Sequence, residues 1–336
     1  METSHEPLSI PPSPDPSPST FEALIDDVDD FARLFPGWTG RFQQISAGRF
    51  DGGIQIIEGR LIRLFRAKTN QILLTRGVGR PGWIDVVPVT PRNQKSLWQG
   101  RYADPNHVII RGDHVGVDNL AARDAEIITF SIPNELMKRV ASNALPSDTD
   151  FHQIHWGCNY IEMCDFALLE GIANEIIRSA MFNPAYLLST DCLAREQECL
   201  LAAMRAIDSP LSSKRRRPRR GNRAEIARKG DEYLRHHLTS PVGLIDLCDE
   251  LGASARTVQY AFRERFGIGP IEYLRILRLD SARLDLKSAR QTGRKIREIA
   301  ASWGFIHMGN FAYDYRKHFG ELPSHTAKLR SRPTAR

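Results

Sequence analysis

Apolar residues recur along the chain in three different rhythms. From about Arg41 to Ile132 they come in short runs rich in β-branched residues and broken by Gly, Pro and Asn: RFQQIS, GIQIIEG, RLIRLFRA, QILLTRG, WIDVVPV, NHVIIRG and AEIITFSI. Short runs separated by turn formers predict an antiparallel sheet folded into a sandwich or small barrel. From Asn134 to Ile207 the pattern turns helical, with long stretches around CDFALLEGIANEIIRSAM and DCLAREQECLLAAMRAI. In the second stretch Leu193, Cys199, Leu200 and Met204 can share one face, which predicts a helical hairpin packed beside the sheet.

From Ala224 onward everything reads as helix broken by tight turns. Leu244, Leu247, Cys248 and Leu251 recur at i, i+3, i+4 and i+7, one buried stripe. Gly252 supplies the turn, because a residue without Cβ takes positive φ most easily. Ser254 is placed to cap the next helix through its hydroxyl. There Val258, Ala261 and Phe262 face inward, and the opposite face carries Arg256, Gln259, Tyr260 and Arg263. Two short helices joined by a tight turn, the second with a polar face, form a helix-turn-helix. About fifty residues later the pattern recurs: Ile296, Ile299, Ala300 and Trp303 form a stripe, Gly304 the turn, and Phe311 and Tyr315 anchor a second polar-faced helix. The helix opening at Pro270 joins the two units, with Leu274, Ile276, Leu277 and Leu284 able to pack against both.

Charge sharpens this division. Residues 211–336 carry 27 Lys+Arg against 13 Asp+Glu, a net +14, whereas residues 1–210 carry 19 against 27, a net −8. A basic module joined to an acidic one points to a polyanion partner for the first only. Six of the seven residues Lys214–Arg220 are basic, which predicts a self-repelling linker over 211–223, either a passive tether or an arm touching phosphates. The first twenty residues hold six prolines and no Lys or Arg, the composition of a disordered lead-in over 1–20 and not of a secretory signal. No apolar run approaches the roughly 18 residues that a membrane span needs. Five cysteines in 336 residues make no disulfide framework, so the reducing cytoplasm is the expected compartment.

The stretches LIDLCDELGASARTVQYAFRERFGIGPIEYLRILRLDSAR and IREIAASWGFIHMGNFAYDYRKHFGELPS resemble the DNA-binding domain of AraC/XylS-type bacterial transcription regulators. The likeness covers 224–330, with 331–336 a tail. Within that family it is most similar to the ethanolamine-utilisation regulators, chiefly in LIDLCDELG and WGFIHMGNFAYDY, and more weakly in AGRFDGG and IRLFRAKTNQ. The resemblance implies an α+β architecture. Residues 21–210 would form a β-rich, cupin-like barrel or sandwich with its helical hairpin, sensing a small molecule and forming a homodimer. An all-α tandem helix-turn-helix domain would follow, docking in successive major grooves of duplex DNA. It further implies a regulator of a catabolic operon that meets RNA polymerase if it activates, with a corrinoid or amine-pathway metabolite as effector.

Carried over position by position, the family's base-reading residues fall on Arg256, Gln259 and Tyr260 in the first unit. In the second they fall on Met308, Gly309, Asn310 and Tyr313. Arg suits guanine O6/N7 and Gln suits adenine N6/N7, both as paired contacts. Tyr260 departs from the family's common Arg, leaving an apolar contact to a thymine methyl or a contact to phosphate. In the second unit Asn310 alone has obvious base-edge hydrogen-bonding power, so that unit is expected to position more than it specifies. Arg263, Arg265, Arg316 and Lys317 read as phosphate contacts or as solvent-facing charges.

Other chemistry is thinner. His152, His155, Cys158 and Cys164 are metal-ligand types, yet on one helix Cys158 stands about 120° from His152, and the four converge only if Gly157 breaks the element. Cys158/Cys164 and Cys192/Cys199 allow a redox reading, against the ordinary one of small buried hydrophobes. A redox- or metal-responsive regulator is therefore the alternative function. No GxSxG, P-loop, GxGxxG or HExxH stands in a usable context, so no enzyme is expected. Arg63, Arg66, Arg76 and Trp83 are candidate effector contacts in the barrel, and strand alternation places each as readily on the outer surface.

Overall fold

The computed structural model of the protein describes residues 17–34, 38–103, 107–112, 115–144, 157–160, 163–208 and 222–328. Twelve strands are present among the described residues: β1 (Ser19–Ile25), β2 (Thr39–Gln44), β3 (Gly52–Glu58), β4 (Arg63–Thr69), β5 (Leu73–Val78), β6 (Trp83–Pro88), β7 (Leu97–Trp98), β8 (Arg101–Tyr102), β9 (His107–Arg111), β10 (Val117–Ala121), β11 (Ala125–Pro133) and β12 (Gly157–Tyr160). They form two antiparallel sheets, one of seven strands in the order β1-β3-β4-β11-β6-β9-β12, the other of five in the order β2-β5-β10-β7-β8. The N-terminal region is thus the expected β-rich body. β1 begins at Ser19, two residues inside the expected lead-in, and β12 interrupts the region expected to be helical.

Both sheets carry apolar side chains on both faces, which helices and the opposing sheet cover over most of their area. Helix α1 (Val28–Leu34) puts Val28 and Phe31 against Phe50, Ile54, Ile56 and Phe65 at one end of the barrel. On the outside of the seven-stranded sheet, Leu64, Ile84, Val86, Val108, Ile110 and Phe130 pack against α2 (Asn134–Ala144), α3 (Met163–Phe182) and α4 (Thr190–Asp208). On the outside of the five-stranded sheet, Ile45, Leu74, Leu97 and Leu120 join the core of the C-terminal helical domain. The order is therefore hairpin, sheet, sheet, helical domain. No helix among the described residues is long and apolar enough to cross a membrane.

One carboxylate fixes the hairpin on the barrel. Glu196 of α4 is buried and accepts the backbone N–H groups of Arg60 (3.1 Å) and Leu61 (2.8 Å) in the β3–β4 turn. A Cβ at Gly59 would collide with that carboxylate. Burial pushes the Glu196 carboxyl up to about 7 against the opposing backbone bonds. Its folded pKa lies above its unfolded value of 4.5, so the folded chain holds a proton that the unfolded chain has released, and stability falls as pH rises between those values. Glu196→Gln is expected to flatten the stability profile from about pH 4.5 to about pH 7, read as denaturation midpoints in a pH series. An unchanged slope would remove Glu196 as its source.

Candidate nucleic-acid interface and barrel cavity

Seven helices make up the C-terminal domain among the described residues: α5 (Asn222–His236), α6 (Leu244–Leu251), α7 (Ala255–Phe266), α8 (Pro270–Thr292), α9 (Ile296–Ser302), α10 (Met308–Phe319) and α11 (Pro323–Lys328). Helices α6 and α7 form the first helix-turn-helix. Gly252 sits between them in left-handed conformation at φ 56°, and the Thr257 N–H donates to Ser254 Oγ (3.2 Å) to cap α7. Helices α9 and α10 form the second, with Gly304 in its turn at φ 79°. In this unit His307 caps α10 with no side-chain hydrogen bond. The 23 residues of α8, about 34 Å at 1.5 Å per residue, join the two. Tyr273, Leu274, Ile276 and Leu277 serve the first core, while Leu279, Ala282 and Leu286 serve the second. Leu284, expected to pack against both units, is instead 39% exposed.

Most of the residues expected to meet DNA lie on open surface. Arg256 is exposed, Tyr260 is 44% exposed, and Gln259 is half-buried beside Gly269. The Arg256 and Arg223 guanidinium groups stand 5.5 and 5.7 Å from the Tyr260 ring centroid, so cation–π attraction orders this face before any ligand arrives. Arg263 is exposed on the same side. On α10, Gly309, Asn310, Arg316 and Lys317 are exposed, Tyr313 is 68% exposed and Met308 is half-buried. Arg265 lies elsewhere. It is nine residues from Arg256, about 180° round the helix. Its side chain is only 10% exposed and forms an ion pair with Asp118 of the barrel at 2.8 Å. The basic run 214–220 lies outside the described residues.

Between the two sheets is a cavity of about 160 Å³. Alternation assigns its wall: Arg63, Phe65 and Ala67 of β4, Trp83, Asp85 and Val87 of β6, and Phe42, Thr75, Trp98, Val117, Asn119 and Ala121 from the five-stranded sheet. Of the four barrel candidates, Arg63 and Trp83 line it and touch, with the guanidinium 5.1 Å from the indole centroid. Arg66 instead pairs with Glu126 (3.4 Å), and Arg76 turns outward to Asp118 and Asp231. The sequence pattern singles out neither Arg111, which is ion-paired with Asp85, nor Trp38 and Trp98. Burial lowers Arg111 to about 10. The Trp38 and Trp98 indole N–H groups are buried without a hydrogen-bond partner among the described residues, two donors an occupant could satisfy.

The outer face of the five-stranded sheet meets the helical domain through further polar contacts. Arg41 (2.5 Å) and Gln43 (2.8 Å) donate to Asp280 of α8, and Arg235 of α5 donates to Gln43 Oε1 (2.7 Å). His318 Nε2 donates to the Gln44 carbonyl (3.0 Å), and burial holds this imidazole neutral with a pKa near 4. Away from that sheet, the β1–α1 turn and α1 add a second contact: Lys287 reaches Asp27 (2.7 Å) and Asp29, and Arg283 pairs with Asp27 (3.3 Å).

The metal and redox candidates fall only partly within the described residues. His152 and His155 lie outside the described residues, Cys158 is on β12 and Cys164 is at the start of α3. No metal-binding group of three ligand residues occurs among the described residues. Burial pushes the Cys192 thiol up to about 12 and Cys199 well above its ordinary value, and a thiol held protonated is a poor nucleophile.

Residues 247–329 match a family model described as a helix-turn-helix domain. The chain is 36% identical over 99 residues to the probable thc operon regulatory protein of Rhodococcus erythropolis, an alignment covering 30% of each chain. It is 25% identical over 243 residues to the XylDLEGF operon transcriptional activator of Pseudomonas putida, covering 69% of this chain and 71% of that one. Among solved structures, a probable AraC family transcriptional regulator from Rhodopseudomonas palustris is 32% identical over 31% of this chain and 95% of that one, with a TM-score of 0.30.

Two glycines separate backbone strain from packing. A Cβ at Gly252 would meet nothing within 4 Å, so Gly252→Ala is expected to cost about 1 kcal/mol through the left-handed backbone alone. At Gly230 of α5 the added carbon would fall 2.7 Å from the Phe262 ring of α7. Gly230→Ala should therefore cost about 1–3 kcal/mol through overpacking, despite alanine's better helix propensity. Urea unfolding checks both values; a stabilised Gly230→Ala variant would show that α5 and α7 separate freely.

Proposed function

We propose that the chain is an AraC/XylS-type transcription regulator that binds specific duplex DNA, and that a small molecule in the barrel cavity governs that binding; the helix-turn-helix match over 247–329 and the likeness to operon regulators and activators support this reading. The observation that carries this reading is that two polar-faced helices, each following a tight glycine turn, share one chain with a cavity whose wall packs against the helical domain. The relatives are named as operon regulators and activators, which supports a non-catalytic role, activation of an operon, a catabolic one in our reading, and RNA polymerase as a partner. Exposed Leu168, Phe182, Leu188 and Leu201 on and beside α3 and α4 support a homodimer through the hairpin.

The cavity's chemistry narrows the effector. Its volume is far below that of a corrinoid, and Arg63, Arg80 and Arg111 against Asp85 disfavour an ammonium group. A small, flat, apolar molecule with a hydrogen-bond-accepting or anionic end suits the aromatic wall and the two indole donors better. The ethanolamine-regulator likeness, strongest in the helical domain, does not in our reading carry over to the ligand.

Arg256 and Gln259 are the base-reading residues of the first unit in this proposal, with Tyr260 and Arg256 ordered on one another. Met308, Gly309, Asn310 and Tyr313 form the reading face of the second, and Arg263, Arg316 and Lys317 contact phosphates. A good bidentate base contact discriminates by about 1–3 kcal/mol, whereas a phosphate contact carries no sequence information directly. Binding-site selection with Arg256→Ala should relax preference at one or two base pairs of one half-site, and Asn310→Ala should give a smaller change in the other. The half-sites should lie about 10 base pairs apart. An unchanged motif with Arg256→Ala, or a larger loss with Asn310→Ala, would refute the division. Replacing the basic residues of 214–220 with Ser should weaken binding to all duplexes alike and flatten its salt dependence. A loss restricted to the selected site would mean that this segment reads sequence.

A further inference from the structure

Strands β5 and β10 are hydrogen-bonded neighbours, with Leu74 opposite Leu120, Thr75 opposite Asn119 and Arg76 opposite Asp118. Side chains alternate across a strand, so these three rungs divide between two sites. Thr75 and Asn119 line the cavity. On the other face, Leu74 and Leu120 enter the core of the first helix-turn-helix unit with Phe262 and Phe266 of α7. Arg76 pairs with Asp118 (3.0 Å) and with Asp231 of α5 (2.5 Å), and Asp118 also pairs with Arg265 at the end of α7 (2.8 Å). The result is a line of alternating charge, Asp231–Arg76–Asp118–Arg265, running from one helix to the other across the back of the cavity wall.

This line has two physical properties. A strand is an extended element, so Asn119 cannot be displaced without carrying its chain neighbour Asp118. The two ends of the line are largely removed from water, with side-chain exposures of 10% at Arg265 and 7% at Asp231, while Arg76 and Asp118 between them keep 29% and 36%. Breaking one link therefore leaves a poorly solvated charge without its partner, which costs far more than breaking a surface pair.

Building on the effector reading above, we propose that this ion-pair line couples occupancy of the cavity to the placement of α7, with Asp118 as the positioning residue. Arg265 is then a docking residue that never meets the DNA. Occupancy that displaces β10 re-aims the base-reading face of the first unit and leaves the second to its own contacts on α8 and α10.

The test uses the full chain and no effector. Ala67 lines the cavity from β4 in the opposite sheet, so Ala67→Met fills the cavity without substituting any residue of β5 or β10. Dissociation constants for the duplex recovered by site selection are measured by fluorescence anisotropy for the parent, Ala67→Met, Asp118→Asn and the double variant, each verified as folded by thermal melting. Ala67→Met is expected to shift the constant by about five-fold or more in the parent, and by less than about two-fold once Asp118 is Asn. Arg265→Gln breaks the same link from the helix side and should reproduce the loss if Asp118→Asn melts. Equal shifts with and without the ion-pair line would overturn the relay while leaving the effector reading intact. A parent whose affinity does not move when the cavity is filled would overturn both.

Discussion

A sheet that is apolar on both faces has to be covered on both, and the five-stranded sheet imposes that condition on the whole chain. Its inner face closes the cavity, and its outer face offers Ile45, Leu74, Leu97 and Leu120 to the helical domain. Each such side chain is worth about 1.5–3 kcal/mol when buried relative to exposed, so the domains form one body sharing a core. The consequence for function is geometric. Helices α7 and α10, which bear the candidate DNA contacts, touch the sheet that walls the cavity, α7 through Phe262 and Phe266 against Leu74 and Leu120 and α10 through His318 on the Gln44 carbonyl.

Charge across this surface sets position more than stability. Asp27, Asp29 and Asp118 of the barrel take Arg283, Lys287 and Arg265, while Arg41 and Arg76 take Asp280 and Asp231 in the opposite sense. Exchanged polarity of this kind rejects a shifted docking register, because sliding one domain by a few ångströms sets like charges against each other. Part of the acidic excess of residues 1–210 is accordingly a counter-charge for the basic domain it carries.

The helix-turn-helix units are legible in the sequence because everything that defines them is local. Gly252 and Gly304 mark the turns, Ser254 marks the cap, and the stripes at i, i+3, i+4 and i+7 mark the buried faces. Strand β10 is not legible, since VDNLA interrupts an apolar pattern with Asp118 and Asn119, each of which serves a different site. The barrel candidates were undecidable for a related reason. A period of two separates two faces without saying which is inside, so Arg63 and Trp83 could not be told from Arg66 and Arg76 until the opposing sheet was in place. Arg265 is a different case, because 100° of rotation per residue already turns it away from Arg256.

Three of the five tryptophans, Trp38, Trp83 and Trp98, stand in the cavity wall, and a fourth, Trp303, donates to Asp285 inside the second helix-turn-helix unit (3.0 Å). Indole emission shifts with the polarity and hydrogen bonding of its surroundings, and two of the cavity indoles have an unspent N–H. An occupant of the cavity would therefore be reported by the protein's own indole emission, with no added label.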